Sequence, residues 1–235
     1  MLQILYEDNH ILAVNKRTGE IVQGDKTGDR PLSECLKDFI KQRDSKPGQV
    51  FIGVPHRLDR PVSGVTLFAK TGKALERLNE LFRTGDVRKI YWAIVKNRPA
   101  NDAGTLTHYL IRNEKQNKSY AHRAPYSGAK EAWLQYRLLA GGDHYYLIEV
   151  LLLTGRHHQI RCQLAAIGCP IKGDLKYGAA RSNPDGSISL HARSVELIHP
   201  VKKEPLTIIA PVPDEALWQW FAKAVSRPEE SRPVS

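Results

Sequence analysis

The segment around which the chain is organised reads His56-Arg-Leu-Asp-Arg-Pro-Val-Ser-Gly-Val-Thr-Leu-Phe-Ala-Lys-Thr71. It places one acid, Asp59, between Arg57 and Arg60, just before a turn signal and an apolar run that is typical of a strand. The acid therefore lies on a loop that a rigid element holds. Such a carboxylate is an ion-pair partner, a solvated loop residue or a catalytic group, and the segment alone does not choose among these.

Size and composition indicate a globular protein. The chain has 235 residues, of which 41% are hydrophobic and 26% charged, so it can bury a substantial core. The first residues include two acids where a signal peptide needs an apolar core, and no apolar run approaches the ~18 residues of a membrane span. We therefore expect a cytoplasmic protein without a membrane partner.

Cysteine usage predicts neither a disulfide framework nor a zinc site. The three cysteines, Cys35, Cys162 and Cys169, are odd in number and lack a paired CxxC spacing. The adjacent His157 and His158 are not spaced to bind one metal ion as an i, i+4 pair would be. We expect no metal.

The net charge of +10 is concentrated in two segments. Residues 56–98 hold ten Lys/Arg against four Asp/Glu, and residues 154–181 hold five against one. Clustered cations favour a phosphate backbone as partner. The alternative is a solvated basic surface that binds nothing.

Two further segments supply candidate site residues. Alternation over 87–95 places Lys89 and Tyr91 on one face of a strand, where Tyr91 is either a core aromatic or a functional group. A buried strand over 145–153 leads into Thr154-Gly-Arg-His-His-Gln-Ile-Arg161, which predicts a helix that opens directly from the strand.

A first helix is predicted after the motif, with Thr71 as its N-cap and an end near Gly85. The second helix, from Thr154, brings several polar groups to one end. Ile160 belongs to its buried stripe, and Arg161 lies beside that stripe, where it would either bind a phosphate or brace a loop. Arg156 lies near the helix N-terminus, where the helix dipole favours an anion. His158 follows two residues later.

The pattern of many strands and few helices predicts an α+β fold. We find no repeat and no linker, so residues 1–225 are expected to form one domain. Residues 226–235 mix Pro, Ser, Glu and Arg without an apolar face and are expected to be disordered. The segment 99–127 indicates hairpins and loops of unresolved order.

The motifs resemble those of the RluA-type pseudouridine synthases. His56 to Thr71 resembles the motif HRLDxxTSGxxxxAK, with Val62 where the motif has Thr. Asn15-Lys16-Arg17 replaces the usual Asn-Lys-Pro, a scaffold change. Later segments follow in the expected order. They are Arg88 to Ala93, Thr154 to Arg161, the loop with Gly168 to Ile171, Gly173-Asp174 and Tyr177-Gly178, and Leu190 to Ala192 with His199-Pro200. The resemblance covers roughly residues 3–210, so we expect the S4-like domain of some relatives to be absent.

The resemblance implies isomerisation of uridine to pseudouridine in ribosomal or transfer RNA, without a cofactor. Asp59 would be the essential catalytic residue, and Arg161 would pair with it and keep it ionised. Tyr91 would stack on the uracil or help move its C5 proton, Ile160 would pack beneath the base, and Arg57 would fill the gap left by a flipped nucleotide.

The same resemblance implies substrate contacts from neighbouring residues, a fold and a partner. The contacts come from Arg60, Lys89, Arg156 and His158. The fold is a single domain with a large, mostly antiparallel mixed sheet and a central catalytic cleft flanked by helices. The expected partner is RNA rather than DNA, and, apart from the resemblance, we expect a monomer.

Two rival classes remain. A nucleoside or glycoside hydrolase normally needs a second carboxylate within ~5 to 10 Å, and residues 56–98 offer only Glu76, Glu80 and Asp86 beside Asp59. A non-catalytic RNA-binding protein would need only the two basic segments.

Overall fold

The computed structural model describes residues 2–25 and 27–226. Within these residues, the chain forms ten β-strands and four α-helices, and its sheet is large, mixed and mostly antiparallel, which confirms the predicted α+β class. The residues group into two compact units. Unit 1 contains the residues up to Arg88 together with Ala192–Pro211, and unit 2 contains Lys89–His191 together with the residues from Val212.

Unit 1 is built on antiparallel strand pairs. Strand β2 pairs with both β1 and β3, and β10 pairs with β9. The bounds of its elements are β1 Ile4–Glu7, β2 Ile11–Lys16, α1 Leu32–Arg43, β3 Ser63–Ala69, α2 Gly72–Thr84, β9 Leu190–Ile198 and β10 Pro205–Ile209. Strand β9 begins at the end of unit 2 and continues into unit 1.

Helix α2 forms where the sequence predicts it. The Thr71 side chain accepts a hydrogen bond from the Ala74 N–H at 3.1 Å, so it caps the first turn. Gly85 ends the helix with φ of 86°, a conformation that glycine adopts without a steric cost. Leu78 on the buried stripe joins Leu67 of β3 in one core cluster, so the helix fixes the strand that follows the Asp59 loop.

Unit 2 contains five antiparallel strands in the order β4, β8, β7, β5, β6. Strand β8 confirms the buried strand predicted over 145–153. The bounds of the elements are β4 Arg88–Val95, β5 Ala103–Asn113, β6 Lys118–His122, β7 Lys130–Gly141, β8 Tyr146–Leu152, α3 Gln159–Ala166, a 3-10 turn Leu175–Tyr177 and α4 Ala216–Ser226. The expected tail, residues 226–235, starts at the last residue of α4, and 227–235 lie outside the described residues.

One face of the unit 2 sheet is covered by α3. Leu110 of β5 and Ala132 of β7 pack against Cys162 of α3 and against Tyr177. The opposite face of β5 and β6 carries Ile111, which lies across from Tyr120 in the register. The two faces therefore have different environments. That residues 1–225 act as one catalytic domain with a central cleft stays a prediction.

Candidate active site

Asp59 lies on a tight turn immediately before β3. The Val62 N–H donates to the Asp59 carbonyl at 3.0 Å and closes the turn. Asp59 is half-buried, and Val62, the last residue of the turn, is 2% exposed. The acid is thus presented by backbone that is hydrogen-bonded and anchored in the core.

Lys16, at the end of β2, stabilises this turn through hydrogen bonds to its main chain. Its side chain is 1% exposed, and its ammonium donates to the carbonyls of Arg17, Arg60 and Val62 at 2.8, 3.2 and 2.7 Å. Burial lowers the pKa of Lys16 to about 8, against the opposing charges of Glu20 and Asp59. A cation therefore lies within electrostatic reach of Asp59 at neutral pH. The sequence interpretation of Lys16 as mere scaffold missed this.

His56, the first residue of the motif, fastens the turn to the core. Its Nε2 accepts a hydrogen bond from the Leu67 N–H at 2.9 Å, and its ring stacks on Phe82 of α2 with centroids 4.6 Å apart. Because Nε2 accepts, the ring is held in one tautomer. His56 is therefore tied to both elements that follow it.

The two arginines beside Asp59 have different surroundings. Within the described residues Arg57 has no hydrogen bond or ion pair, and its side chain is exposed. Arg60 instead donates to Asp29 at 2.6 Å and to the Thr27 hydroxyl at 2.7 Å. Asp25 lies 3.5 Å from the same guanidinium. Of the two, Arg57 is the cation without an ion-pair partner in the described part of the chain.

Gly64 allows β3 to approach β9 closely. It has φ of +117°, and a Cβ added there would lie 2.3 Å from the carbonyl oxygen of Ala192. Only glycine fits this approach. The residue thus fixes the start of the strand that carries the Asp59 turn.

In unit 2, β4 brings Lys89 and Tyr91 to one face, as the alternation predicted. Both side chains are half-buried. Burial lowers the pKa of Lys89, and this ammonium has no partner among the described residues. An anion would offset the desolvation that lowers its pKa.

The helix predicted to open at Thr154 begins instead at Gln159, which corrects the sequence interpretation. The buried Gln159 side chain accepts from the Thr154 hydroxyl at 2.8 Å and from the Arg156 N–H at 3.0 Å. His158 has φ of 53°, in the left-handed region, so the backbone cannot continue the helix towards Thr154. The residues from Thr154 to His158 therefore form a loop that the Gln159 side chain closes with hydrogen bonds.

Arg161 is buried and paired with Asp174 inside unit 2. Its Nε and Nη2 donate to the two carboxylate oxygens at 2.7 and 2.9 Å, and the side chains are 6% and 1% exposed. This bidentate geometry fixes the plane of the guanidinium. Sequence reasoning assigned Asp174 no role, although it is the single acid of the basic segment 154–181.

The other predicted residues of this loop surround Arg161. Ile160 is 4% exposed. The His158 Nδ1 lies 3.0 Å from the Tyr177 hydroxyl, and burial, followed by the charge of Arg161, lowers the pKa of His158 to about 2. The exposed Arg156 uses its Nε to donate to the Glu131 carbonyl at 3.0 Å. His158 is thus neutral at pH 7.

The structure brings the predicted residues together in two groups. Arg57, Asp59 and Arg60 share one turn of unit 1. Unit 2 holds the remaining residues, which are Lys89, Tyr91, Arg156, His158, Ile160 and Arg161. The predicted hydrogen bond between Asp59 and Arg161 stays a prediction.

The part of the chain that the structure describes contains no group of three or more His, Cys, Asp or Glu side chains placed to hold a metal ion. Among the same residues, no helix has the length and apolar character needed to cross a membrane.

Comparison with known proteins identifies the family. Residues 10–166 match the RNA pseudouridylate synthase family. The ribosomal large subunit pseudouridine synthase D of Xanthomonas campestris is 34% identical over 228 residues, which cover 91% of this chain and 67% of that protein. The tRNA pseudouridine synthase C of Salmonella typhi is 33% identical over 231 residues, which cover 89% and 85%.

A solved structure agrees with these relatives. The protein called human RNA pseudouridylate synthase domain containing 4 superimposes with a TM-score of 0.77 at 25% identity, covering 95% of this chain and 92% of that one. The chain therefore belongs to the RNA pseudouridylate synthase family, as its motifs predict. It spans 59% to 67% of the length of the first curated relatives that it matches.

Proposed function

We propose that the chain converts uridine to pseudouridine in ribosomal or transfer RNA, with Asp59 as the catalytic residue. Membership of the family supports the reaction, and the relatives named as ribosomal and tRNA synthases support the two substrate classes. The N1–C1′ bond of the nucleotide breaks and a C5–C1′ bond forms, while C5 loses a proton and N1 gains one. The product has the same composition as the substrate, so no oxidant or cofactor is consumed.

The observation that carries the proposal is the support of the Asp59 turn. Lys16 binds the carbonyls of Arg60 and Val62, and His56 ties the start of the motif to β3. A carboxylate held on ordered backbone loses little freedom when it meets a substrate. The Lys16 ammonium lies within electrostatic reach of this carboxylate, which is proposed to attack the ribose or the base or to remove a ribose proton.

The remaining roles follow from the environment of each residue. Arg57 is exposed and is proposed to stack where the flipped base had been. Tyr91 is proposed to contact the uracil, with Ile160 as an apolar surface beneath it. Arg161, oriented by Asp174, is proposed to keep Asp59 ionised.

Four further residues are proposed to form the substrate-binding surface, by contacting the RNA or by holding the loops that do. Lys89 is the strongest of them, because its half-buried ammonium has no partner in the described part of the chain and a phosphate would provide one. Arg156 is proposed to contact a phosphate, and His158 and Arg60 to hold the loops beside the substrate. The monomeric state and cytoplasmic location remain predictions of the sequence.

The rival classes receive less support. A hydrolase would require a second carboxylate beside Asp59, and Glu80 is instead paired on the exposed face of α2 with Arg83. Asp86 accepts a hydrogen bond from the Thr84 hydroxyl at 2.5 Å, also at the surface. An RNA-binding protein without catalysis would have no use for an acid on so well supported a turn.

Asp59→Asn tests the proposal. The variant is expected to form no pseudouridine in unmodified ribosomal or transfer RNA while it binds the RNA as the wild type does, because the amide keeps the size but cannot act as nucleophile or base. Nucleoside analysis by mass spectrometry measures the product, and Asp86→Asn is the matched control. Turnover retained by Asp59→Asn would refute the assignment, and release of free uracil would indicate a hydrolase.

A further inference from the structure

A shallow pocket lies on the hairpin formed by β5 and β6. It has a volume of about 480 Å³, within the range of small-molecule sites. The residues that line it are Ile111, Arg112, Asn113, Tyr120, His122 and Tyr126. The register places Ile111 directly across from Tyr120, so the floor of the pocket is an ordered pair of strands.

Aromatic rings form one wall of this hairpin pocket. His122 and Tyr126 stack with centroids 4.4 Å apart and planes 4° apart. Tyr120 and Tyr126 are nevertheless 39% and 55% exposed. The Tyr120 hydroxyl donates to Gln116, which orients its ring. Such preorganised, solvent-exposed rings provide the flat apolar surface on which nucleobases stack.

The surroundings of the hairpin pocket are basic. Residues 105–130 contain five Lys/Arg and one acid, Glu114. None of the five forms an ion pair among the described residues; they are Arg112, Lys115, Lys118, Arg123 and Lys130. The Lys118 Nζ lies 5.4 Å from the centre of the Tyr120 ring. Charge complementarity therefore favours a phosphate-bearing ligand over an apolar protein segment.

The hairpin pocket lies away from Tyr91 on the sheet of unit 2. Tyr91 pairs in register with Val150, Val150 with Tyr136, and Tyr136 with Gly104. Side chains paired in this way share one face of a sheet, and Gly104 and Ile111 differ by an odd number of positions along β5. The pocket therefore opens on the face opposite to Tyr91.

We propose that the hairpin pocket binds an unpaired nucleotide of the substrate RNA, at a position distinct from the uridine that is isomerised. The base stacks on the exposed rings of Tyr120 and Tyr126, and Arg112 and Lys118 contact the adjacent phosphates. This inference rests on the proposed function, because it takes RNA as the substrate. It implies that part of the selectivity for one RNA over another comes from a surface outside the catalytic site.

Fluorescence anisotropy with a fluorescein-labelled oligoadenylate 12-mer tests the pocket directly. In the full chain, Tyr126→Ala and Tyr120→Ala are each expected to weaken binding at least about fivefold, as the loss of one base–aromatic stack does. Tyr126→Phe keeps the ring and is expected to bind as the wild type does. Trp220→Ala, which removes a 48% exposed aromatic from α4, is the matched control and should not change binding.

Salt dependence gives a second readout that a folding defect would not mimic. Lys118→Gln is expected to lower the slope of log Kd against log salt by about 0.7, because one fewer counterion is released from a single strand. Unchanged affinity in both tyrosine variants would overturn the proposal whatever the slope of Lys118→Gln, and this outcome includes the case in which the pocket binds a protein.

The test is independent of turnover. All binding measurements are repeated in the Asp59→Asn background, where catalysis is expected to be absent. If Asp59→Asn retains activity, the catalytic assignment fails while the pocket result stands. If the tyrosine variants bind normally, the pocket fails while pseudouridine formation by the wild type is unaffected.

Discussion

Replacing Lys16 by Met should weaken unit 1 and displace the Asp59 turn. Methionine keeps the length of the side chain but removes the donor for the buried Val62 carbonyl and the partly buried carbonyls of Arg17 and Arg60. Arg60 retains the Gly19 N–H at 2.9 Å. A buried acceptor without its donor costs about 1–3 kcal/mol, and partly buried ones less. We expect the free energy of unfolding at pH 7 to fall by about 2–4 kcal/mol.

The pH dependence of this difference has a defined sign. Burial lowers the pKa of Lys16 from 10.5 to about 8 in the folded protein. Between these pH values the unfolded chain binds more protons, so this lysine makes the unfolding free energy rise with pH. The rise amounts to about 3 kcal/mol between pH 8 and 10.5. Lys16→Met lacks this titration, so the gap between wild type and variant should widen over that window.

Urea denaturation followed by circular dichroism at pH 7, 8, 9 and 10 measures both effects, and Lys41→Met on α1 is the control for loss of a lysine at the surface. In the proposed reaction Lys16→Met should lower kcat for pseudouridine formation at least about tenfold, equivalent to about 1.4 kcal/mol, with little change in KM. A Lys16→Met protein that unfolds at the wild-type urea concentration, shows no pH-dependent gap and keeps its kcat would refute the reasoning.

Two other substitutions have sharp expectations. Gly64→Ala should destabilise the protein by roughly 2–6 kcal/mol, since a strained φ and overpacking each cost about 1–3 kcal/mol and the new Cβ would lie 2.3 Å from the Ala192 oxygen. Thermal unfolding measures this loss of stability. Gly72→Ala, whose new Cβ would meet nothing within 4 Å, is the control and should unfold at the wild-type temperature. Asp174→Leu should lower the free energy of unfolding by about 3–5 kcal/mol, because it leaves the buried Arg161 charge without this partner. Asp174→Asn should lower it by less. Equal stability of the two variants in urea would contradict the role assigned to this ion pair.

The sequence predicted those elements whose signals lie within the element itself, such as helix caps and apolar runs. Helix α2 begins at a side-chain cap on Thr71 and ends at Gly85, both of which are recognisable in the sequence. The apolar run over 145–153 forms β8. Its composition alone is enough to identify a buried strand. In these regions short-range chemistry and the fold agree.

Where the prediction was wrong, a specific tertiary contact overrode the pattern. The residues from Thr154 carry a helical spacing, but Gln159 satisfies the polar groups of the loop and His158 adopts a left-handed conformation, so the helix starts later. Lys16 reaches the Asp59 turn across 44 to 46 positions of sequence. No periodicity encodes such a contact.

The way in which Lys16 holds the turn also bears on how this motif tolerates change. Its ammonium binds main-chain oxygens, which every amino acid possesses, and none of its three contacts is with a side chain of the turn. Valine at position 62, where related motifs have threonine, therefore keeps the same contact to lysine through its carbonyl while it fills the core with its methyl groups. The contact between Lys16 and the turn is thereby independent of the side chain at position 62, so a residue there that still fits the buried site keeps this contact beside Asp59.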